Sequence, residues 1–317
     1  MNRTILGTMN IEYPHSSNSN TSLKYYKSII EKYISQTDNP ILDTAYYYGN
    51  TRTEQMLGKI IPDFSCKIAT KANPWFENDF TNGKFGQLSS KELSIQLNTS
   101  LKHLGKEKAD VFFLHCPDYE TSIQETLETC DQLWRKEKFD YLGISNFSNI
   151  QLLEILDICE KNNFNLPRYY QGMYNIICRK VEEIFPIVDD YNMHFWCYNP
   201  LAGGLLSGKY KNGIPSSNTR FSSNTIYQNI FWKPEIVEPL YDFFQSSNCL
   251  EYSLNWLYKY SKLRPDKDKI IIGVSTLEQL NKNIEIINSN IQYDNNTIDY
   301  LNELYFKIQN VSPNYFY

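Results

Sequence analysis

The chain reads as an α/β protein, and three observations predict a closed (β/α)8 TIM barrel. First, apolar runs of four to six residues recur eight times along its 317 residues, each followed by a helix-like stretch. The runs are rich in Ile, Val, Phe, Tyr or Leu, as strands buried on both faces are. Second, no G-x-G-x-x-G follows any run, so an open doubly wound sheet lacks its phosphate-binding signature. Third, the length suits one α/β barrel as well as two ordinary domains, and residues 1–317 are read as a single domain.

Taken in order, the strand runs are Thr4–Thr8, Ile41–Thr44, Cys66–Lys71, Asp110–His115, Tyr141–Ser145, Arg168–Gln171, His194–Tyr198 and Lys269–Val274. The clearest helices are Ser89–Leu104, Ser122–Lys136, Ser148–Asn162 and Leu250–Lys262. In the first of these, Leu93, Leu97, Leu101 and Leu104 fall at spacings of four, four and three, which is one helical face. Two long loops interrupt the alternation: polar Pro74–Ser89 after strand three, and Asn199–Lys233 after strand seven, with Gly203, Gly204, Gly208 and Gly213. Loops of that length in a compact domain are usually functional. A helix over Thr297–Gln309 and a tail over Ser312–Tyr317 are expected to cover one end of the barrel. Apart from a short Ser/Asn cluster at Ser16–Thr21, nothing reads as a linker, and no repeat is visible.

Composition narrows the function. A net charge of −5 gives no general electrostatic reason to bind nucleic acid. Hydrophobic residues make up 41% of the chain, enough for a large core. No run approaches the length of a membrane span or signal peptide, so a cytoplasmic protein with no membrane association is expected. The seven cysteines are odd in number and lack C-x-x-C spacing, which fits free thiols in a reducing compartment. The four histidines show no metal-ligand spacing, so no metal is expected.

In a barrel the chemistry gathers at the C-terminal ends of the strands. Here those ends are Thr8-Met9, Asp43-Thr44, Lys71, His115, Ser145-Asn146, Gln171, Tyr198-Asn199 and Gly273-Val274-Ser275. One polar residue after an apolar run is only a strand passing into a loop. Repeated around the ring, the pattern describes a pocket where an acid, a base, a cation and several amides converge. Asp43, Tyr48, Lys71 and His115 form a plausible proton-transfer group. A free phenol titrates near pH 10, about; an adjacent ammonium would lower that value, an aspartate would anchor the lysine, and a histidine could orient a substrate oxygen or relay the proton. Each residue alone has an ordinary reading, and only the conjunction is informative.

The last two loops read as an anion cradle. Asn199 through Lys209 carries glycines that would let backbone amides approach a phosphate. Gly273-Val274-Ser275-Thr276 leads into a helix whose N-terminus attracts negative charge. Lys209 and Arg220 could add cations, and a phosphate-bearing ligand is the expectation.

At these residues the sequence resembles the aldo-keto reductase superfamily, and within it the aflatoxin-aldehyde reductase branch, which includes succinic semialdehyde reductases. The likeness covers essentially the whole chain. It rests on Leu42-Asp43-Thr44-Ala45-Tyr46-Tyr47-Tyr48, the Lys67–Trp75 segment, Leu114-His115-Cys116-Pro117-Asp118, Gly143-Ile144-Ser145-Asn146, Tyr170–Asn175, Tyr198 through Tyr210, and Pro313-Asn314-Tyr315-Phe316. The resemblance implies a barrel that binds NADPH in an extended pose and reduces aldehydes, ketones or dicarbonyls. It makes Tyr48 the general acid, with Lys71 lowering its pKa, Asp43 holding Lys71 and His115 directing the carbonyl. It implies that Ser145, Asn146 and Gln171 bind the carboxamide and that Tyr198 stacks on the nicotinamide. Asn199, Pro200, Leu201, Gly203, Gly204, Leu205, Ser207 and Lys209, with Ser275, Thr276, Gln279 and Asn283, would grip the phosphates and adenosine. Many superfamily members place a Lys and an Arg where this chain has Gly273 and Gln279, a departure shared with the branch; Lys209 and Arg220 are the cations left to favour NADPH over NADH.

The substrate end departs further. Branch members that reduce succinic semialdehyde are expected to use two arginines for its carboxylate, and this chain has Ile230 and Tyr317 in those places. An unpaired carboxylate would be costly to bury. The expected substrate is therefore a neutral carbonyl compound, aromatic or dicarbonyl, contacting Met9, Trp75, Tyr227, Trp232 and Tyr315. Two rivals predict other behaviour. A cofactor-binding redox sensor or regulatory subunit would bind NADPH with little turnover, and a Schiff-base aldolase would trap borohydride on Lys71 without nicotinamide. The branch resemblance also implies a homodimer.

Overall fold

A computed structural model describes residues 3–11, 19–78, 83–211 and 220–316. Eight strands, β1 (Thr4–Gly7), β2 (Ile41–Asp43), β3 (Lys67–Ala72), β4 (Ala109–Leu114), β5 (Phe139–Ser145), β6 (Tyr169–Met173), β7 (His194–Tyr198) and β8 (Lys269–Gly273), pair in chain order. Every pairing is parallel, and β8 closes on β1 with Thr4 opposite Ile270 and Gly7 opposite Gly273. Helices cross over between the strands, so the fold is the predicted (β/α)8 barrel. Asn295–Ile308 adds the expected final helix.

Local chemistry sets the helix limits. The serines expected to open two helices stand one residue outside them as N-caps: Ser122 accepts from the Glu125 N–H, and Ser148 forms a reciprocal pair with Gln151. Gly105 and Asn163, both with positive φ, end Ser90–Leu104 and Asn149–Asn162. The helix expected over Leu250–Lys262 is instead an α-helix over Cys249–Asn255 that widens into a π-type turn over Trp256–Tyr260. That turn sets the Trp256 ring 4.0 Å from the Arg179 guanidinium carbon.

Strand alternation divides the core in two. Outward side chains join the helices in one large apolar layer. Inward ones, Ile5, Ile41, Ala69, Val111, Phe113, Trp196 and Ile271, plug the barrel. Gly143 is required here, because a Cβ on it would lie 2.3 Å from the Phe113 ring. With a side-chain period of two, the next inward position on each strand sits above this plug. Ile41 is followed by Asp43, Ala69 by Lys71, Phe113 by His115, Gly143 by Ser145, Tyr169 by Gln171 and Trp196 by Tyr198. The polar ring at the barrel mouth is thus fixed by register. The seven cysteines are free, six of them buried. Among the described residues no helix is long and apolar enough to cross a membrane.

Candidate active site

Lys71 is fully buried at the centre of this ring. Its ammonium donates to Asp43 Oδ1 at 2.7 Å and to the Thr44 carbonyl at 2.7 Å. Gln171 Nε2 donates to the same Asp43 oxygen at 2.9 Å. Burial lowers the Lys71 pKa, while the charge of Asp43 and its hydrogen bond pull the other way. A buried charge pair persists only when further hydrogen bonds complete it, and Thr44 and Gln171 supply them.

Tyr48 and His115 face the same space, with ring centroids 6.0 Å apart, and the Lys71 ammonium lies 5.2 Å from the Tyr48 ring centroid. Trp75 packs 5.4 Å from His115 and edge-on to Tyr47 at 5.3 Å. Burial, with a smaller contribution from Lys71, pushes the His115 pKa down to about 3, so the imidazole is neutral at working pH. Its Nδ1 is buried without a hydrogen-bond partner among the described residues.

The surroundings of Tyr48 act against the depression of its pKa that the resemblance implies. Burial pushes the phenol well above its ordinary value, and Asp43 and Tyr227 add to the rise; Arg220 opposes it. Tyr48 therefore stays protonated at neutral pH.

The carboxamide-binding candidates form a linked chain. Tyr198 donates its hydroxyl to Asn146 Oδ1 at 2.7 Å. Asn146 Nδ2 reaches the His115 carbonyl at 2.9 Å and Ser145 Oγ at 3.1 Å. Asn146 adopts a φ of 62°, which asparagine tolerates better than most residues. These bonds tie β4, β5 and β7 together.

In the loop after β7, several amides of the expected cradle bond within the loop. The Ala202 and Gly204 N–H groups donate to the Asn199 and Leu201 carbonyls, Gly203 N–H donates to Asn199 Oδ1 at 2.6 Å, and Leu206 N–H returns to Leu201. Ser207 donates to the Gly204 carbonyl. Those donors close the turn on itself, so the glycines serve its left-handed geometry: φ is 70° at Gly203 and 99° at Gly204. Gly203 also makes room for Tyr227, whose Cδ1 would be 2.5 Å from an added Cβ, whereas Gly204 faces open space. Pro200 and Leu205 are buried, and Lys209 is exposed.

Arg220, in the segment after β7, reaches past the end of β8 to the turn after β1. Its guanidinium carbon lies 4.7 Å from the Tyr227 ring centroid, and Nη2 donates to Asn10 Oδ1. Asn10, which sequence reasoning missed, also lies 3.7 Å from where a Cβ on Gly273 would be. Asn10 therefore joins the turn after β1, the segment after β7 and the end of β8. At that end Gly273 and Ser275 are exposed, Thr276 caps Leu277–Asn288, Gln279 Oε1 accepts from the Ser275 N–H at 2.8 Å, and Asn283 is buried. An open glycine face at Gly273, the Arg220 and Lys209 side chains and the N-terminus of Leu277–Asn288 are groups that could hold a phosphate-bearing cofactor.

Among the substrate candidates, Met9 is half-buried in the turn after β1 and Trp75 stands beside His115. Tyr227 acts electrostatically on Tyr48. Two others are placed elsewhere. Trp232 packs on Tyr210 and Phe221, at 5.2 and 5.4 Å. Tyr315 is buried, donating to Glu183 and accepting from the Asn149 N–H at 3.1 Å. Both rings are held by packing and hydrogen bonding in the surrounding wall. Ile230 packs against the core, and Tyr317 lies outside the described residues.

The model of the Aldo/keto reductase family matches residues 3–305. A mouse protein named aflatoxin B1 aldehyde reductase member 2 is 37% identical over 303 residues, covering 89% of this chain and 78% of its own. A human aldo-keto reductase, family 7 member A3, is 34% identical and covers 99% and 96%. Among solved structures, a glycerol dehydrogenase from Gluconobacter oxydans has a TM-score of 0.70 at 19% identity, covering 96% of this chain and 92% of that one. A thermostable aldo-keto reductase solved with the inhibitor epalrestat has a TM-score of 0.66 at 23% identity, covering 95% and 94%.

Proposed function

The chain belongs to the aldo/keto reductase family, and from that premise we propose that it uses NADPH to reduce a neutral aldehyde or dicarbonyl to an alcohol, with Tyr48 as the general acid. The observation that carries this reading is the convergence of Tyr48, His115 and the Asp43–Lys71 pair on one barrel mouth. A bound nicotinamide would supply a hydride there, held by Ser145, Asn146, Gln171 and Tyr198, with Lys209 and Arg220 on its phosphates.

The protein's own part is to place a carbonyl and give it a proton. A neutral His115 can donate a hydrogen bond to the carbonyl oxygen but cannot act as the acid. Tyr48, kept protonated by burial, holds the proton that the developing alkoxide needs. An alkoxide is a far stronger base than a phenolate, so a raised phenol pKa still permits transfer. The same rise opposes the reverse reaction, which would begin from a phenolate. Lys71, anchored by Asp43, keeps a cation near the Tyr48 ring as the phenol loses its proton. The Trp75 and Tyr47 rings make the wall beside His115 apolar, as suits a neutral substrate.

The test is NADPH oxidation with 4-nitrobenzaldehyde by wild type and Tyr48→Phe, with cofactor affinity measured in parallel. Loss of kcat by about 100-fold or more, with NADPH binding intact, is the expected result. Tight NADPH binding without wild-type turnover on a carbonyl panel would favour the sensor role instead. A higher kcat/KM for succinic semialdehyde than for neutral aldehydes would refute the substrate class. We further propose a single domain, a cytoplasmic location and a homodimer, to be checked by limited proteolysis, cell fractionation and sedimentation.

A further inference from the structure

A second carboxyl lies behind the catalytic lysine. Glu54, on the helix Arg52–Ile60, has no exposed surface. Its Oε1 accepts a 2.5 Å hydrogen bond from Thr70 Oγ1, and Thr70 precedes Lys71 on β3 with its side chain on the outer face. Its Oε2 has no hydrogen-bond partner among the described residues, and Ser100 of helix Ser90–Leu104 acts on the same carboxyl. The charge that acts on it is Lys71, on the inner face of the same strand, and the influence is mutual. Tyr46, in the turn after β2, also feels Glu54, together with Glu92 of Ser90–Leu104. On its own helix, Arg52 is turned to the Gly49 carbonyl.

We propose that Glu54 is a positioning residue for catalysis, a proton-switched carboxyl that sets, through the strand, how much of the Lys71 charge is available to Tyr48. This rests on the reading of Tyr48 as the acid. The geometry favours a neutral Glu54: an ionised carboxylate would be fully buried with few hydroxyl donors, whereas a protonated one can present its O–H to Ser100. Burial accordingly raises its pKa to about 7, against opposing effects from Thr70, Ser100 and Lys71. Below that pH, Lys71 is balanced by Asp43 alone. Above it, a second negative charge offsets the lysine and makes a phenolate at Tyr48 harder to form, so reduction slows. Asp43 meets Lys71 directly, while Glu54 acts across the sheet.

The experiment is kcat for NADPH-dependent reduction from about pH 5.5 to about pH 9 in wild type, Glu54→Gln and Thr70→Val, using single-turnover rates to isolate chemistry. Wild type should lose about threefold to tenfold in rate across a one-proton step near neutrality. Glu54→Gln should abolish the step and hold the low-pH rate. Thr70→Val, which removes the donor that favours the ionised form, should move the step to higher pH. A Glu54→Gln profile with the wild-type step, or an unshifted Thr70→Val step, overturns the proposal. Infrared titration of the protonated-carboxyl band gives an independent readout. A band that Glu54→Gln removes, titrating near neutrality in wild type, is expected; if Glu54→Gln does not fold, displacement of that band in Thr70→Val replaces it. Its failure to titrate overturns the Glu54 proposal by itself, whereas absent turnover with a titrating band overturns the reductase reading on which the proposal depends.

Discussion

The barrel mouth and the segment after β7 both contribute polar side chains to the site, but they do so by different physics. At the mouth, a residue's direction is set by its strand: Asp43, Lys71, Ser145, Gln171 and Tyr198 point inward because each stands two positions beyond a side chain of the lower layer. In the segment after β7, direction depends on neighbours far away in sequence. Arg220 is aimed by Asn10, 210 residues earlier, and Tyr227 lies where Gly203 leaves space. The first region is specified by periodicity, the second by tertiary contact.

Substitution can sharpen that contrast. The largest stability effect is expected at the mouth. Lys71→Met would leave Asp43 buried with Gln171 as its remaining side-chain donor, at a cost of about 3–5 kcal/mol. Chemical denaturation should show Lys71→Met/Asp43→Asn recovering a substantial part of that loss, because the stranded charge is gone. A double variant no more stable than the single one would mean that Lys71 acts by packing.

Glu54 offers a pH-dependent comparison with Asp43. Its folded pKa is raised from the usual 4.5 to about 7, so the native state holds its proton more tightly than the unfolded chain. The associated stability is therefore present at low pH and lost as pH rises from about 4.5 through about 7. The stability of Glu54→Gln relative to wild type should rise over that window, by about 3 kcal/mol at most. A constant difference across the window would contradict the raised pKa.

In the segment after β7, Gly203→Ala combines a φ of 70° with a clash against Tyr227. It should destabilise by about 1–3 kcal/mol and, by displacing Tyr227 and Arg220, raise KM for NADPH more than it lowers kcat. An unchanged KM would separate that segment from cofactor binding.

The same contrast explains what was legible in the sequence. All eight strands were recoverable within about two residues, and β7 matched at both ends, because a buried strand is a local apolar run. Three of the four proposed catalytic residues, Asp43, Lys71 and His115, emerged from strand ends for the same reason, and Tyr48 follows in the loop after β2. For Trp232 and Tyr315 the sequence was less informative, because an aromatic residue near a site in sequence carries no sign of how its ring packs against its neighbours. The internal bonding of the 202–204 amides was not legible, because glycines signal permissive backbone, not which donors remain free. Glu54 did leave a trace: it lies three residues before Leu57 and six before Ile60, on the buried face of its helix. An acidic residue on an apolar face was the available signal, and ranking strand ends alone passed over it.

The two tryptophans give the finest test of the division. Trp75 is held beside His115 by the turn after β3, where Gln96 bonds the Asn73 backbone at both N–H and C=O and Asn73 Nδ2 donates to the Trp75 carbonyl. Trp232 instead packs against Tyr210 and Phe221. Trp75→Leu should lower kcat/KM for aromatic aldehydes about tenfold, some 1.4 kcal/mol. Trp232→Leu should cost about 1–3 kcal/mol of stability and leave the ranking of aldehydes unchanged. If Trp232→Leu altered that ranking while Trp75→Leu did not, the substrate would have to enter along the segment after β7, and the assignment of Trp75 as a substrate wall would fall.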